Sequence, residues 1–404
     1  MFENLIAQPL TTHRLVTEVE NARLARALLF HGPRYSGKLT AALELARVLS
    51  CTEEGAWNCG CGNCQRHRLL EYQGLLMMGP RNFMEEILAA SVSLKTSQKT
   101  AVRYVFLRAV GKLVRRFDEV LWQHDSSRLQ KAEDRLSAVS EALGAISPGS
   151  RLPEGTDLDH HIDEIVDSCS KLVRRLGNAE ASIGQVRSVA SWLRSTTALR
   201  PKIVVIEGAD SMLEGARNAF LKVLEEPPQD VYFILITERR GAIIPTILSR
   251  TRSYHFIQRS ADEERRVIEG IFRIPSSEYL SLREFFLAQE YGGDYPMKRA
   301  AEAFLEEAIR GNGGGSVIAD AVDLMNKGPS SAGLRHFLSE IAMLLSGILR
   351  AETRAQDGEP ITAETLHAWS RLLAEHQARA ESYNVSATNA LESLYYGLRK
   401  ESRA

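Results

Sequence analysis

The run Gly32-Pro33-Arg34-Tyr35-Ser36-Gly37-Lys38 has the spacing of a phosphate-binding loop. Glycines at its ends let backbone N–H groups approach an anion, a helix N-terminus behind it favours negative charge, and the lysine reaches outer phosphate oxygens. The expected ligand is ATP, with Gly32, Gly37, Lys38 and Thr40 as the nucleotide-binding residues. The parts for hydrolysis are incomplete. The residue after the lysine should carry a hydroxyl for Mg²⁺, and here it is Leu39. Thr40 stands one place further, turned about 100° round the helix. A later apolar strand should end in an acid for the metal and a glutamate for the attacking water; the sequence reads Glu207-Gly208, with Asp210 two positions beyond. Glu207 is expected to remain within reach of a metal, while Gly208 offers no base. The prediction is therefore ATP binding without turnover by the isolated chain. The alternative is an active ATPase that uses Thr40 and Glu207.

A second group of residues suits a metal. Cys51, Cys59, Cys61 and Cys64 fall within one short segment. Four thiolates make a closed tetrahedral site, which is structural for zinc, and such clustering favours metal over disulfides in a reducing compartment. The single residue between Cys59 and Cys61 is a tight spacing. Cys169 stands alone and reads as a packed apolar residue.

The elements that must position these groups follow from periodicity. Ala27 to Phe30 is a short apolar strand, and Lys38 to Ser50 is a helix. A helix over about 182–194, a buried β-branched strand Lys202–Ile206, a helix 214–225 ended by Pro227-Pro228, and a strand 231–236 continue the alternation. Such alternation predicts a three-layered α/β fold on a parallel sheet. Between about 83 and 178 the pattern turns helical, over 97–123, 125–145 and from Leu158, and reads as an insertion. Its stretch Lys95, Lys99, Arg103, Arg108, Lys112, Arg115, Arg116 is locally basic. This stripe is read as either a contact for DNA or a partner, or one face of a self-packed hairpin. The remainder is helical, with breaks at Gly292-Gly293 and Gly311 to Gly315.

Composition narrows the class. Fifty basic against 51 acidic residues leave a formal charge of −1, which argues against a stand-alone nucleic-acid-binding zinc protein. No apolar run is long enough to span a bilayer, and the N-terminus lacks the form of a signal peptide. A cytoplasmic location is expected.

Asn218 to Pro228 (NAFLKVLEEPP), then a strand, then Pro245-Thr246-Ile247-Leu248-Ser249-Arg250 closely resembles the clamp-loader branch of the AAA+ ATPases. A cysteine cluster just after the P-loop helix, with the opening Phe2 to Gln8, resembles the clamp-loader subunits of bacterial DNA polymerase III. Leu39, Glu207 and Gly208 depart from the motor subunits (gamma/tau) of that family as its delta-prime branch does. Thr251 stands where the family motif carries Cys, and Asn384 to Leu398 is similar to the last collar helix. The resemblance implies a P-loop AAA+ domain over 1–260, with a zinc module at 51–64 and the insertion at 83–178. A helical lid over 261–325 and a helical collar over 326–404 would follow. It implies Arg250 as an arginine finger acting on a neighbouring ATPase, and Thr237 at a sensor position. Implied partners are gamma/tau-type ATPase subunits, the delta subunit, the sliding clamp, and primer-template DNA through the complex.

Overall fold

The computed structural model describes residues 1–404 except 154, 178–179, 196–200, 226, 276–278, 280, 292–295, 311–314, 328–332, 352–361, 383–384 and 403–404. Glu226, the Gly292-Gly293 break, Gly311 to Gly314 and Asn384 lie outside the described residues. The chain divides into two compact units, Met1–Phe285 and Phe286–Ala404.

In the first unit a five-stranded sheet has the order β2-β3-β4-β1-β5, all pairs parallel. The strands are β1 (Ala27–His31), β2 (Leu75–Met78), β3 (Lys202–Ile206), β4 (Val231–Thr237) and β5 (Arg252–His255). Three of them coincide with the apolar runs read from the sequence; β2 and β5 are too short to show a period. The core strands are apolar on both faces because helices cover both sides. The first of these helices are α1 (Pro9–Glu20), α2 (Lys38–Ser50) and α3 (Gly62–Arg68). Phe30, Leu43, Leu45, Val205, Ile234 and Phe256 belong to a single packed core. Its apolar area is the main source of the unit's stability.

The helical stretch comprises α4 (Phe83–Thr96), α5 (Thr100–Val114), α6 (Ser126–Ile146) and α7 (Thr156–Leu176). Here α4 packs on α5 and α7, and α6 on α7. The helix expected over 97–123 is α5 followed by two 3-10 turns, Arg115–Phe117 and Glu119–Trp122. The chain then re-enters the α/β pattern through α8 (Ile183–Arg194), α9 (Glu214–Glu225), α10 (Pro245–Leu248) and α11 (Ala261–Val267). A capping box between Ser182 and Gln185 fixes the start of α8.

Helix α12 (Leu282–Tyr291) leads into the second unit, which holds α13 (Pro296–Arg310), α14 (Ser316–Lys327), α15 (Gly333–Ala351), α16 (Ala363–Ser382) and α17 (Ala387–Glu401). Phe304, Ile318, Met325, Phe337, Trp369 and Leu394 share one core. The expected division between 325 and 326 therefore falls inside a packed bundle: α14 carries Met325 into the same core as α15 and α17. No helix among the described residues is long and apolar enough to cross a membrane.

Candidate nucleotide site and metal centre

The phosphate-binding loop leaves β1 at the C-terminal edge of the sheet. Gly32 has φ +146°, and a Cβ there would lie 2.1 Å from the Phe256 carbonyl oxygen. Gly37 enters α2 at φ +94°, where an added Cβ would meet the Arg259 guanidinium at 2.7 Å. Both positions need glycine for conformation and for space. Lys38 Nζ donates to the carbonyls of Gly32 (2.7 Å) and Pro33 (2.5 Å). Burial lowers its pKa to about 8. Arg259 spans the loop, donating to the Tyr35 carbonyl and, at 2.9 Å, to that of Ile6. Gln8 uses both ends of its amide on the backbone of Ile257, which ties the opening segment to the strand leading into Arg259.

The positions that should hold magnesium are filled otherwise. Leu39 is buried in the hydrophobic core, so the first helical turn presents carbon where a hydroxyl would be needed. Thr40 is half-buried on the next position. Glu207, at the end of β3, is buried and accepts hydrogen bonds on both carboxylate oxygens: Arg81 Nη1 on Oε1 (2.8 Å) and Arg116 Nη2 on Oε2. The expectation that Glu207 stays available to a metal does not hold, because two guanidiniums already occupy its oxygens. Arg81 also pairs with Glu86 at 2.8 Å, and Lys112 with Glu86. Burial alone would raise the Glu86 pKa, but Lys112 and Arg81 outweigh it and hold the carboxyl at about 2. Gly208 has φ +57°, and a side chain there would meet Pro80 Cγ at 2.7 Å. Asp210 accepts from Thr237 Oγ1 (2.6 Å) and Arg239 Nε (2.9 Å). The sensor-position threonine is thus tied to an acid of the same edge.

Arg250 lies at the other edge. It follows α10 and precedes β5, whose residues run from Arg252 beside Leu28 to His255 beside His31. Four residues of parallel strand at about 3.3 Å each put roughly 13 Å between that end and the loop. Its guanidinium donates to the Thr246 carbonyl (3.0 Å) and to Glu225 Oε1 (3.0 Å), with side-chain exposures of 36% and 53% for Arg250 and Glu225. Arg252 is different: it pairs with the buried Glu18 at 2.8 Å, beside Tyr254 in the same cluster. Only Arg250 of the two is held by exposed partners alone.

The four cysteines converge. Their sulfurs lie within 4.8 Å of one another, with Cys51–Cys59 at 3.6 Å and Cys51–Cys61 at 3.9 Å. A tetrahedron of Zn–S bonds near 2.3 Å needs S···S separations of about 3.8 Å. The fit is close, and the short Cys59–Cys61 spacing is accommodated by a turn in which the Cys61 N–H faces Cys59 Sγ at 3.5 Å. The Cys64 N–H donates to Cys61 Sγ at 3.4 Å, and buried Arg47 to Cys64 Sγ at 3.5 Å. Burial raises the Cys61 pKa, yet N–H groups of Thr52 and Cys64 bring it down to about 6. The set is compatible with a structural zinc ion held by Cys51, Cys59, Cys61 and Cys64.

The basic stripe is almost wholly spent inside the fold. Lys95 pairs with Asp163 (2.6 Å), Arg103 donates to the carbonyls of Ser147 and Ser150, and Arg108 donates to those of His67 and Arg68. Arg115 holds the carbonyls of Leu70 and Tyr72, while Lys112 and Arg116 hold Glu86 and Glu207. Of the seven, Lys99 is exposed. The stripe fastens the helical insertion to the sheet and to the cysteine module.

Comparison with known proteins bears on the same residues. The family described as "DNA polymerase III, delta subunit" matches residues 7–87 and 160–260. The delta' subunit of Bacillus subtilis DNA polymerase III is 24% identical over 267 residues, 65% of this chain and 52% of that protein. The matched segments are similar to delta'-type clamp-loader subunits. The Pseudomonas aeruginosa delta' subunit is 32% identical over 28% of this chain and 32% of its own length. The tau subunit of Escherichia coli is 31% identical over 31% of this chain and 19% of its own. The chain thus spans about half the length of the Bacillus relative and less of the others. Among solved structures, a gamma subunit-related protein of Thermotoga maritima is 17% identical, covering 55% of this chain and 80% of that one, at a TM-score of 0.29. The family match resumes at 160 and so takes in most of α7, which the sequence had placed with the unfamiliar insertion.

Proposed function

We propose that the chain is a non-hydrolysing clamp-loader subunit of a bacterial DNA polymerase III holoenzyme, acting in DNA replication. It braces the loader and lends Arg250 to the ATP site of a neighbouring gamma/tau-type subunit. The observation that carries this reading is the position of Arg250, at the sheet edge opposite its own phosphate-binding loop. A guanidinium there does not serve the chain's own nucleotide, and its exposed pairing with Glu225 is cheap to exchange. Placed on a partner's transferring phosphoryl group, it would stabilise charge that develops only in the transition state.

The chain's own centre supports the same division of labour. Without a hydroxyl at Leu39, a free carboxylate at Glu207 or a base at Gly208, ATP held by Gly32, Gly37 and Lys38 has nothing to turn it over. Partners in this reading are gamma/tau and delta subunits, the sliding clamp, and primer-template DNA through the complex. The location is cytoplasmic, and the helices after 261 serve as lid and collar. Zinc at the four cysteines stiffens the module beside α2. Metal analysis is expected to return one zinc per chain, lost in Cys64→Ser together with a lowered Tm.

The role of Arg250 is tested by assembling the chain with its ATPase and delta partners and following DNA-dependent ATP hydrolysis and clamp loading. Arg250→Ala should assemble normally and lose most of the stimulated rate. An unchanged rate would refute the finger role. Substantial hydrolysis by the isolated chain, abolished by Lys38→Ala, would favour a motor subunit instead.

A further inference from the structure

One arginine of the phosphate-binding loop's helix is buried against the cysteine module. Arg47 stands on α2, the helix that Lys38 opens, and its side chain is 1% exposed. A guanidinium removed from water is tolerated only where its N–H groups find acceptors. All five N–H groups of Arg47 have one. Nε and Nη2 donate to Glu44 Oε2 at 3.2 and 2.9 Å, and Nη2 also to the Gly55 carbonyl at 3.0 Å. Nη1 donates to the Ala56 carbonyl at 2.8 Å and to Cys64 Sγ at 3.5 Å. Glu44 is as deeply buried and neutralises the cation.

The contact to sulfur differs in kind from the others. Glu44, Gly55 and Ala56 hold Arg47 in place whatever the state of the cysteines. Cys64 is fully buried, and its sulfur is a weak acceptor as a thiol and a better one as a thiolate. A metal ligand is the thiolate. The last N–H of Arg47 is therefore preset for the metal-bound form of Cys64. Glu53 also touches the module, accepting from Cys59 Sγ at 3.1 Å. It is exposed, so its carboxylate turns to water at little cost when Cys59 becomes a ligand. Arg68 serves the same segment through its backbone, donating to the carbonyls of Trp57 (2.7 Å) and Cys59.

We propose that Arg47 is a positioning residue of the metal centre: it holds Cys64 as a ligand and fastens the loaded module to the helix of the phosphate-binding loop. The inference rests on the reading that the four cysteines hold zinc, and it is independent of Arg250 and of nucleotide binding. Groups that orient a metal's ligands in this way typically carry about ten- to hundredfold in metal affinity. Because the same guanidinium holds Glu44 of α2 and the carbonyls of Gly55 and Ala56, the ligand it orients is tied directly to that helix.

The test is the zinc affinity of the full chain, read by competition with a chromophoric chelator under reducing conditions, together with the thiolate-to-metal charge-transfer bands of the cobalt-loaded protein. Because Arg47→Met alone strands the Glu44 carboxylate, the informative variant is Arg47→Met/Glu44→Gln, with Glu44→Gln as its control. The double variant should bind zinc about tenfold or more weakly and shift the cobalt bands, since one sulfur has lost its N–H donor. Glu44→Gln keeps Arg47 on Cys64 and should leave affinity and bands close to those of wild type. Wild-type affinity and unshifted bands in the double variant would overturn the inference. An equal loss in Glu44→Gln would overturn it too, by assigning the effect to the ion pair rather than to the sulfur contact. If the double variant does not fold with zinc, Arg47→Lys decides. Its ammonium stays beside Glu44 but has no planar fork to serve Ala56 and Cys64 together, so zinc binding should weaken and the cobalt bands should shift; wild-type values for both would refute the proposal. Failure of the wild-type chain to bind zinc or cobalt would overturn the metal reading itself, and the inference with it.

Discussion

The two edges of one parallel sheet treat charge in opposite ways. At the C-terminal edge Lys38, Arg81, Arg116, Glu86 and Glu207 are drawn into a largely buried network with internal partners. At the N-terminal edge Arg250 keeps a single exposed acid and a carbonyl. A catalytic group must be able to leave its resting partner and meet a reacting atom. Arg250 at the second edge is such a group. At the phosphate-binding centre the oxygens of Glu207 are taken by guanidiniums, whereas Arg250 stands at the opposite end of the strands.

Breaking the closed edge should give the largest effect. Arg116→Met removes the cation on Glu207 Oε2 while Arg81 stays on Oε1, and losing one hydrogen bond to a buried charged group costs about 1.5–3 kcal/mol. Chemical denaturation should show that loss, and a loss near zero would mean that the network contributes nothing to closure. Acid probes the same network. The Glu86 pKa is depressed to about 2, so its contribution is present above the unfolded value near 4.5 and is lost as pH falls from there toward 2. Up to about 3 kcal/mol of stability should disappear over that window. Glu86→Gln should flatten the acid limb of a pH–stability profile.

Restoring a catalytic pattern should fail at a smaller cost. Gly208→Glu introduces a side chain at φ +57° against Pro80, which should destabilise by about 1–3 kcal/mol. Combined with Leu39→Thr it should still yield no ATPase, since Arg81 and Arg116 continue to hold Glu207. ATP turnover in that double variant would show that the closure is incidental. The smallest effect belongs to the open edge. Glu225→Ala removes an exposed pair worth about 0.2–1 kcal/mol and should leave the loader's stimulated ATPase intact, because Arg250 is needed elsewhere when it acts.

The local features were legible from sequence because their signals are local. The loop from Gly32 to Lys38, the four cysteines, β1, β3, β4 and the helices α2, α8 and α9 sit in consecutive residues with a clear period. Helix α4 was not legible, since Phe83 to Thr96 is buried on most of its surface and shows no sharp polar face. The basic stripe was ambiguous for a different reason. Its partners Asp163, Ser147, His67, Glu86, Leu70 and Glu207 are scattered along the chain, so a pattern that reads as a charged surface becomes a set of internal ties only when the fold is closed. The same holds for Arg259 over Gly37, which no spacing rule connects to the loop. Arg250 was found through the neighbouring Leu-Glu-Glu-Pro-Pro and Ser-Arg motifs, and the fold supplied what the motifs lack, the edge on which it stands.

The most direct test sets the two edges against each other in one assembly. In a reconstituted loader with active gamma/tau-type partners, DNA-stimulated ATP hydrolysis is measured with this chain as wild type, Arg250→Ala and Lys38→Ala. The account predicts a loss of at least about tenfold for Arg250→Ala, below the roughly 10³–10⁵ that a trans arginine supplies in GTPases, and less than about twofold for Lys38→Ala, whose site does no chemistry. The reverse order, with Lys38→Ala crippling and Arg250→Ala silent, would contradict it.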